Sequence, residues 1–298
     1  MIVFIVFSII GILTVMVTDL ADESYFFDNY VSSTIEQEQI FYISDAGIKA
    51  VKRILKEDQN SYDALNEAWS QQMPVQLDEA SLVIQAVDQE RYLNPNFLVK
   101  ENGEIDEKYL EMFQRLFAVV RIDPVIIYNI IDWIDPDTST SGGEEDYVDF
   151  PAKNDKIDTV EELKLLRGVT QEVFNGKEEL GSYTPGLKDL LSPYSNGKVN
   201  INTASKWVLM ALDEEIDEGL AEAIVAFRQK EPFTNINDLV KVGGITSDII
   251  YRIKPFIDVK SENFIVYITI NLGERKYKLT THLNKRGRLV KEMWRKLY

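Results

Sequence analysis

The chain has 298 residues, 45% of them apolar, enough for one large or two modest folded units. It contains no cysteine, which excludes a disulfide framework and any thiolate metal site. Its net charge of −17 is unevenly laid: 23 basic and 48 acidic residues precede position 275, a balance of −25, while residues 275–298 carry nine Lys or Arg against one acid, Glu292. A surface so acidic repels nucleic acid and suits cations or basic partners.

The first stretch, Met1 to Thr18, has no charged residue before Asp19. As a helix it covers about 27 Å, close to the hydrocarbon thickness of a bilayer, and it reads as a membrane segment. A cleaved signal peptide would need a basic start and a small-x-small cleavage site; Met1 runs straight into Ile2, and Asp19-Leu20-Ala21-Asp22 is a poor site. From Ile12 to Ala46 there is neither Gly nor Pro, so nothing stops the helix at the membrane surface. Beyond it, Tyr30, Thr34, Gln37, Phe41, Ser44, Ile48, Val51 and Leu55 alternate three and four apart, with charge on the other sides. The spacing predicts a rod of about 55 residues, roughly 80 Å long. A rod half in lipid and half on a domain is the design of a pilin-like subunit; a plain anchor ahead of an enzyme is the alternative.

Gln76 to Val87 reads as a turn and strand, with Asp78 and Glu79 ahead of Ser-Leu-Val-Ile-Gln-Ala-Val, followed by a loop from Asp88 to Gly103. Helices come next. Asp106 can cap a segment whose Tyr109, Leu110, Phe113, Leu116, Phe117 and Val120 share a face, and Asp123-Pro124 opens a second, buried helix from Val125 to Ile134. Thr159 with Glu162 forms a capping box ahead of Leu163, Leu165 and Leu166. Thr203, Asp217 and Asn237 read as caps of helices near 204–212, 218–229 and 238–241. After Pro255 the apolar period becomes two. Phe264 to Ile270, Tyr277 to Leu283 and Leu289 to Trp294, separated by turns at Gly273 and Gly287, predict an antiparallel meander.

Two segments could carry chemistry. Asp132, Asp135 and Asp137 are followed by Gly142-Gly-Glu-Glu-Asp-Tyr147, two groups of carboxylates across a short glycine-containing loop. Packed carboxylates repel unless a hard cation lies between them, and Ca²⁺, with six to eight oxygen ligands at roughly 2.3–2.6 Å, tolerates such an irregular loop. A solvated acidic loop is the plainer alternative. Nothing singles out one carboxylate for acid/base work, and the single histidine, His282, lies in a predicted strand with no nucleophile at a recognisable spacing, so no catalytic residue is expected. The second segment runs from Val199-Asn-Ile-Asn-Thr-Ala204 to Val242-Gly-Gly-Ile-Thr246 and resembles the tandem helix-hairpin-helix unit of DNA-binding competence proteins. Its first hairpin, Asp213-Glu-Glu-Ile-Asp-Glu-Gly219, sets acids where phosphate would sit, and residues 200–256 carry six bases and nine acids. The fold signal survives and the phosphate site does not.

Together these residues resemble the K-type minor pseudopilins of bacterial type II secretion. The resemblance rests on the order of the apolar N-terminus, Asp45-Ala-Gly-Ile-Lys-Ala50, Asp132-Trp-Ile-Asp135 with its Gly-Gly-Glu-Glu-Asp-Tyr loop, Glu161-Glu-Leu163, Asn200-Ile-Asn-Thr-Ala204 and the degenerate hairpins. It implies an α+β fold, a pilin-like long N-terminal helix packed on an antiparallel sheet with a large all-α domain inserted between strands. The expected bounds are a transmembrane part at 1–18, a first pseudopilin part at 19–103, the inserted domain at 104–252 and the last strands at 253–298. It also implies structural Ca²⁺ held near Asp135, Asp137, Glu144 and Asp146, and a non-enzymatic subunit of the inner membrane with its folded part in the periplasm. I- and J-type minor pseudopilins and other filament subunits are the expected partners, met through Ile5, Tyr30, Phe41, Ile48 and Val51; neither nucleic acid nor a small-molecule substrate is expected. Most pilin-like subunits have a glutamate at mature position five that meets a neighbour's N-terminal amine. Ile5, with Met1 taken as the mature start, cannot receive that amine, which suits a place at the filament tip. The runner-up is a minor pilin of a type IV pilus-like filament; a membrane-anchored DNA receptor is third.

Overall fold

A computed structural model describes residues 1–77, 80–147, 150–179 and 181–298. Asp78 and Glu79, expected ahead of the first long strand, lie outside the described residues.

The predicted rod is one unbroken helix, α1 (Ile2–Glu57). Two strands follow, β1 (Met73–Gln76) and β2 (Ala80–Asp88), and then a body of short helices: α2 (Glu107–Val120), α3 (Val125–Ile134) and α4 (Gln171–Asn175). A small hairpin, β3 (Lys177–Glu179) and β4 (Ser182–Thr184), precedes α5 (Leu187–Leu190), β5 (Val199–Asn200), α6 (Lys206–Leu212), α7 (Glu218–Lys230), α8 (Ser247–Ile253) and β6 (Ile257–Asp258). The chain ends in β7 (Asn263–Leu272), β8 (Arg275–Arg286) and β9 (Leu289–Leu297).

The main sheet has the order β1-β2-β7-β8-β9, antiparallel throughout. β2 and β7 are neighbours although the helical body separates them in sequence, so the body is an insertion between two paired strands. Period two explains the sheet's inner face. Leu82, Ile84 and Ala86 of β2 and Phe264, Val266, Ile268 and Ile270 of β7 point to one side and pack on Ile40, Ile48, Val51 and Leu55 of α1. Gly47 lets the helix approach: a Cβ there would lie 2.9 Å from Ile268 Cδ1. Outside this contact Glu36 accepts from the Tyr277 hydroxyl at 2.5 Å and from Arg275, and Lys52 pairs with Glu292 at 2.8 Å.

The helical body has its own core, built around Phe113, Leu116 and Phe117 of α2 and Ile126, Ile127, Ile130 and Ile131 of α3. That core begins at Leu93 and closes at Val259, so the insertion is wider than the expected 104–252. The segment from Asp88 to Gly103 reads as a loop because it lacks periodicity, yet Leu93 and Leu98 are fully buried, and Ile257, assigned to the last strands, is buried in the same core. Asp106 and Asp217 cap α2 and α7 as expected, through Tyr109 N and Leu220 N, whereas Ser205 and Asn235 cap at positions expected for Thr203 and Asn237.

Thr203 is engaged elsewhere. Its hydroxyl donates to buried Asp88 at the end of β2, and Asn200 Nδ2 reaches Asp63 O at 2.9 Å, Ser261 Oγ at 2.8 Å and Asp88 Oδ2 at 3.3 Å. Glu90, also buried, accepts from Asn263 N at 3.0 Å, Asn263 Nδ2 at 2.7 Å and Asn196 N at 3.2 Å. Burial raises the pKa of both Asp88 and Glu90, and for Glu90 the nearby Asp88 carboxylate adds to the rise. The Asn-Ile-Asn-Thr motif is therefore a polar joint between helical body and sheet.

Candidate functional site

Asp132 sits in the last turn of α3, fully buried in a segment that is otherwise nearly all apolar. Its Oδ1 accepts from Ser141 N at 2.7 Å, and its Oδ2 from Gly143 N and Thr140 Oγ1, both at 2.8 Å. One carboxylate thus folds the following loop back over the helix end. Gly143 is required at that contact: a Cβ would lie 2.5 Å from the carbonyl carbon and oxygen of Tyr128.

The folded loop brings Glu145 to Asp132 and Asp135, with ligand oxygens of all three within 4.8 Å of one another. Asp135 Oδ1 and Glu145 Oε1 are buried and, among the described residues, have no hydrogen-bond partner. Burial pushes Asp135 up to about 6, aided by the charges of Asp137 and Asp132, and burial with the neighbouring carboxylates pushes Glu145 up to about 7. Two orphaned acidic oxygens beside a third carboxylate are a donor set that fits a hard cation such as Ca²⁺.

Of the four expected ligands, Asp135 is in this set and the other three are not. Asp137 is exposed and accepts from Ser139 N at 2.6 Å, Glu144 is paired with Arg167 at 2.5 Å, and Asp146 faces solvent beside a backbone bridge to Pro151. Asp132 and Glu145, read only as members of the acidic loop, complete the converging group. A readable signal existed for the first, a lone acid inside an apolar helix, three residues from Asp135.

A second group, Asp58, Asp63 and Glu67, also converges within 4.8 Å. Here Lys285 Nζ lies 2.7 Å from Asp58 and 2.8 Å from Asp63. Burial alone would lower the Lys285 pKa, but the two carboxylates hold it above its usual value. Glu67 accepts from Ala64 N at 2.7 Å and Trp69 Nε1 at 3.0 Å. These acids are satisfied from within the chain. His282 is a sheet residue, as expected; its Nε2 lies 3.0 Å from Asn263 Oδ1, its ring packs between Tyr194 and Trp294, and burial pushes its pKa down to about 4.

The partner-facing stripe divides in two. Residues 1–35 of α1 are exposed on every side, so Ile5 and Tyr30 are open, and so is Phe41 further along. Ile48 and Val51 are 1% and 0% exposed, covered by the chain's own sheet, and do not face a partner. Their helical spacing marks an apolar side without saying what covers it. By length and composition α1 is able to cross a membrane.

In the hairpin region Asp213 is held by Arg252 at 2.6 and 2.9 Å, and Glu215 by the same guanidinium at 2.6 Å. The acids of the first hairpin thus brace α8 where a DNA-binding unit would offer amides to phosphate. Arg228 is turned inward, donating to Ile201 O and Ala204 O, each at 2.5 Å.

Two family models match the chain: the helix-hairpin-helix motif over residues 195–258, and the first domain of protein K of the type II secretion system over residues 92–178. No curated protein matches. Among solved structures, a chain from the crystal structure of the GspK–GspI–GspJ complex of the enterotoxigenic Escherichia coli type 2 secretion system is 16% identical. The match covers 90% of this chain and 99% of that one, with a TM-score of 0.69. At that identity the likeness establishes the shared fold, and the pilin-like α+β arrangement read from the sequence holds; the protein K match favours neither a type IV pilin nor a DNA receptor. By its matched domain, residues 92–178, and by its fold, the chain is similar to protein K of type II secretion systems.

Proposed function

We propose that the protein is a minor pseudopilin capping the tip of a type II secretion pseudopilus, where it assembles with I- and J-type minor pseudopilins to start the filament and support protein export. The apolar start of α1 anchors it in the bacterial inner membrane and the folded part lies in the periplasm. Its role is structural, not catalytic. The observation that carries this reading is the exposed rod: 34 residues of continuous helix, 2–35, apolar up to Thr18, find no partner among the described residues and need lipid and neighbouring helices to cover them. Support for the partners comes from the similar solved chain, which was crystallised in a GspK–GspI–GspJ complex.

Copurification of the full-length chain in detergent with candidate I- and J-type subunits tests the reading. A stable ternary complex is expected. Tyr30→Glu with Phe41→Glu should weaken it at unchanged melting temperature, whereas Ile48→Glu should unfold the sheet domain itself. Failure of any candidate pair to bind the folded chain would overturn the assignment.

The same reading includes a structural Ca²⁺ held by Asp135 and Glu145 with Asp132 beside them. The ion would neutralise carboxylates that otherwise repel and so lock the loop over α3. Isothermal calorimetry with Ca²⁺ is the direct test, and an absence of heat at millimolar Ca²⁺ would remove the ion from the proposal.

A further inference from the structure

The sheet has two outer strands of very different character. β1 is four residues long and contains Pro74, which removes a donor from its edge. β9 is nine residues long, has neither Gly nor Pro, and no strand among the described residues pairs with its outer side. Such an edge offers a row of free N–H and C=O groups to another chain.

The charge along it is unusual for this protein. A bulge at Met293 shifts the register between His282 and Leu283, so Lys291, Trp294 and Lys296 oppose Asn284, His282 and Thr280 of β8. Those partners lie two apart, hence on one face, and so do Lys291, Trp294 and Lys296. At the start of β9 an open cleft is lined by Lys52, Arg53, Lys56 and Arg288 with the single acid Glu57. Lys52 and Arg53 are paired with Glu292 and Glu57, while among the described residues no carboxylate pairs with Lys56, Arg288, Lys291 or Lys296. This strip belongs to a chain whose remainder, before residue 275, carries a balance of −25.

Its position excludes lipid. Lys56 follows the apolar run's last residue, Thr18, by 38 positions of unbroken helix, about 57 Å of rise. A second copy is also disfavoured, because pairing β9 with itself sets lysine against lysine.

We propose that β9 is a docking edge for an extended acidic segment of another protein, which adds a sixth strand beside the five of the sheet. Main-chain hydrogen bonds hold the segment, and its carboxylates meet Lys291 and Lys296 along the strand and Arg288 and Lys56 at its end. Exposed Leu297, which opposes Leu279 and so lies on the face opposite Lys291 and Lys296, gives its alternate apolar side chains something to cover. Neither the edge nor its charge depends on the filament role.

The test uses the full chain in detergent micelles and a fluorescein-labelled ten-residue peptide alternating Glu with Val and Thr, read by anisotropy at low salt. Binding is expected, weakened about tenfold or more by N-methylating alternate peptide amides, since this removes strand donors at unchanged charge. The paired substitution Lys291→Glu and Lys296→Glu should weaken it by a similar factor; if that variant melts early, Lys291→Gln with Lys296→Gln should still reduce binding severalfold. The proposal is overturned if no binding is seen at millimolar peptide. Equal binding by the N-methylated peptide, or by one with Lys in place of Glu, also overturns it. Tighter binding of single-stranded DNA of equal charge would mark the strip as a plain polyanion site and overturn it likewise.

Discussion

Asp58, Asp63 and Glu67 are met by a cation the chain supplies itself, Lys285, whereas Asp132, Asp135 and Glu145 face one another with two oxygens unsatisfied. Both groups hold three acids within the same span of 4.8 Å. The difference lies in what the neighbouring element brings. β8 runs beside the end of α1 and carries a lysine into the first group, so that junction has its counter-charge within the chain. Among the described residues the second group is met by its own loop and by no lysine or arginine, which is why an ion from solution is proposed for it.

Breaking the first group should have the largest effect. Lys285→Met leaves Asp58 and Asp63, side chains 10% and 2% exposed, without their counter-charge. A loss of about 3–5 kcal/mol is expected in urea denaturation, far more than the pair would be worth on the surface.

Acid acts on the same strand through His282. Its folded pKa of about 4 lies below the ordinary 6.5, so the unfolded chain takes up a proton that the folded chain refuses. Stability should fall as pH drops from 6.5 toward 4, by roughly 3 kcal/mol, and stay level in this contribution below that. His282→Gln should flatten that window of the pH–stability profile; an unchanged slope would show that other groups dominate it.

The Ca²⁺ proposed for the second group gives the next test. At a free concentration a hundred times the dissociation constant, binding stabilises by about 2.7 kcal/mol, visible as a rise in melting temperature that chelator reverses. Asp135→Asn should abolish the rise and Asp58→Asn should leave it intact. If Asp58→Asn abolished it instead, the two groups would have been assigned the wrong way round. The smallest effect belongs to Arg167→Ala, which frees Glu144 at the rim of the loop. That arginine side chain is 76% exposed, and a change below about 0.5 kcal/mol is expected in the same melts.

Much of the architecture was legible because it is local. An apolar run continued from Ile12 to Ala46 without Gly or Pro reads as a long helix, and alternation from Phe264 onward reads as strand, since each follows from backbone geometry over a few residues. β1 escaped notice because four residues with a proline have no period to read. Asp106 and Asp217 cap their helices because a cap acts within three residues, while Thr203, of the same chemistry, was drawn away by an acid more than a hundred positions earlier.

The sequence by itself determined the rod, the meander, the helical middle and an acid-rich loop after α3. Tertiary structure decided which sides and which oxygens matter. Ile48 and Val51 are buried because β2 and, more than two hundred residues later, β7 fold over them. Asp132 and Glu145, not Glu144 and Asp146, join Asp135 because one buried carboxylate accepts three donors from the loop and turns it inward. Periodicity fixes direction around a helix axis, but contact between distant segments is set by the packing of the whole chain, which no local pattern contains.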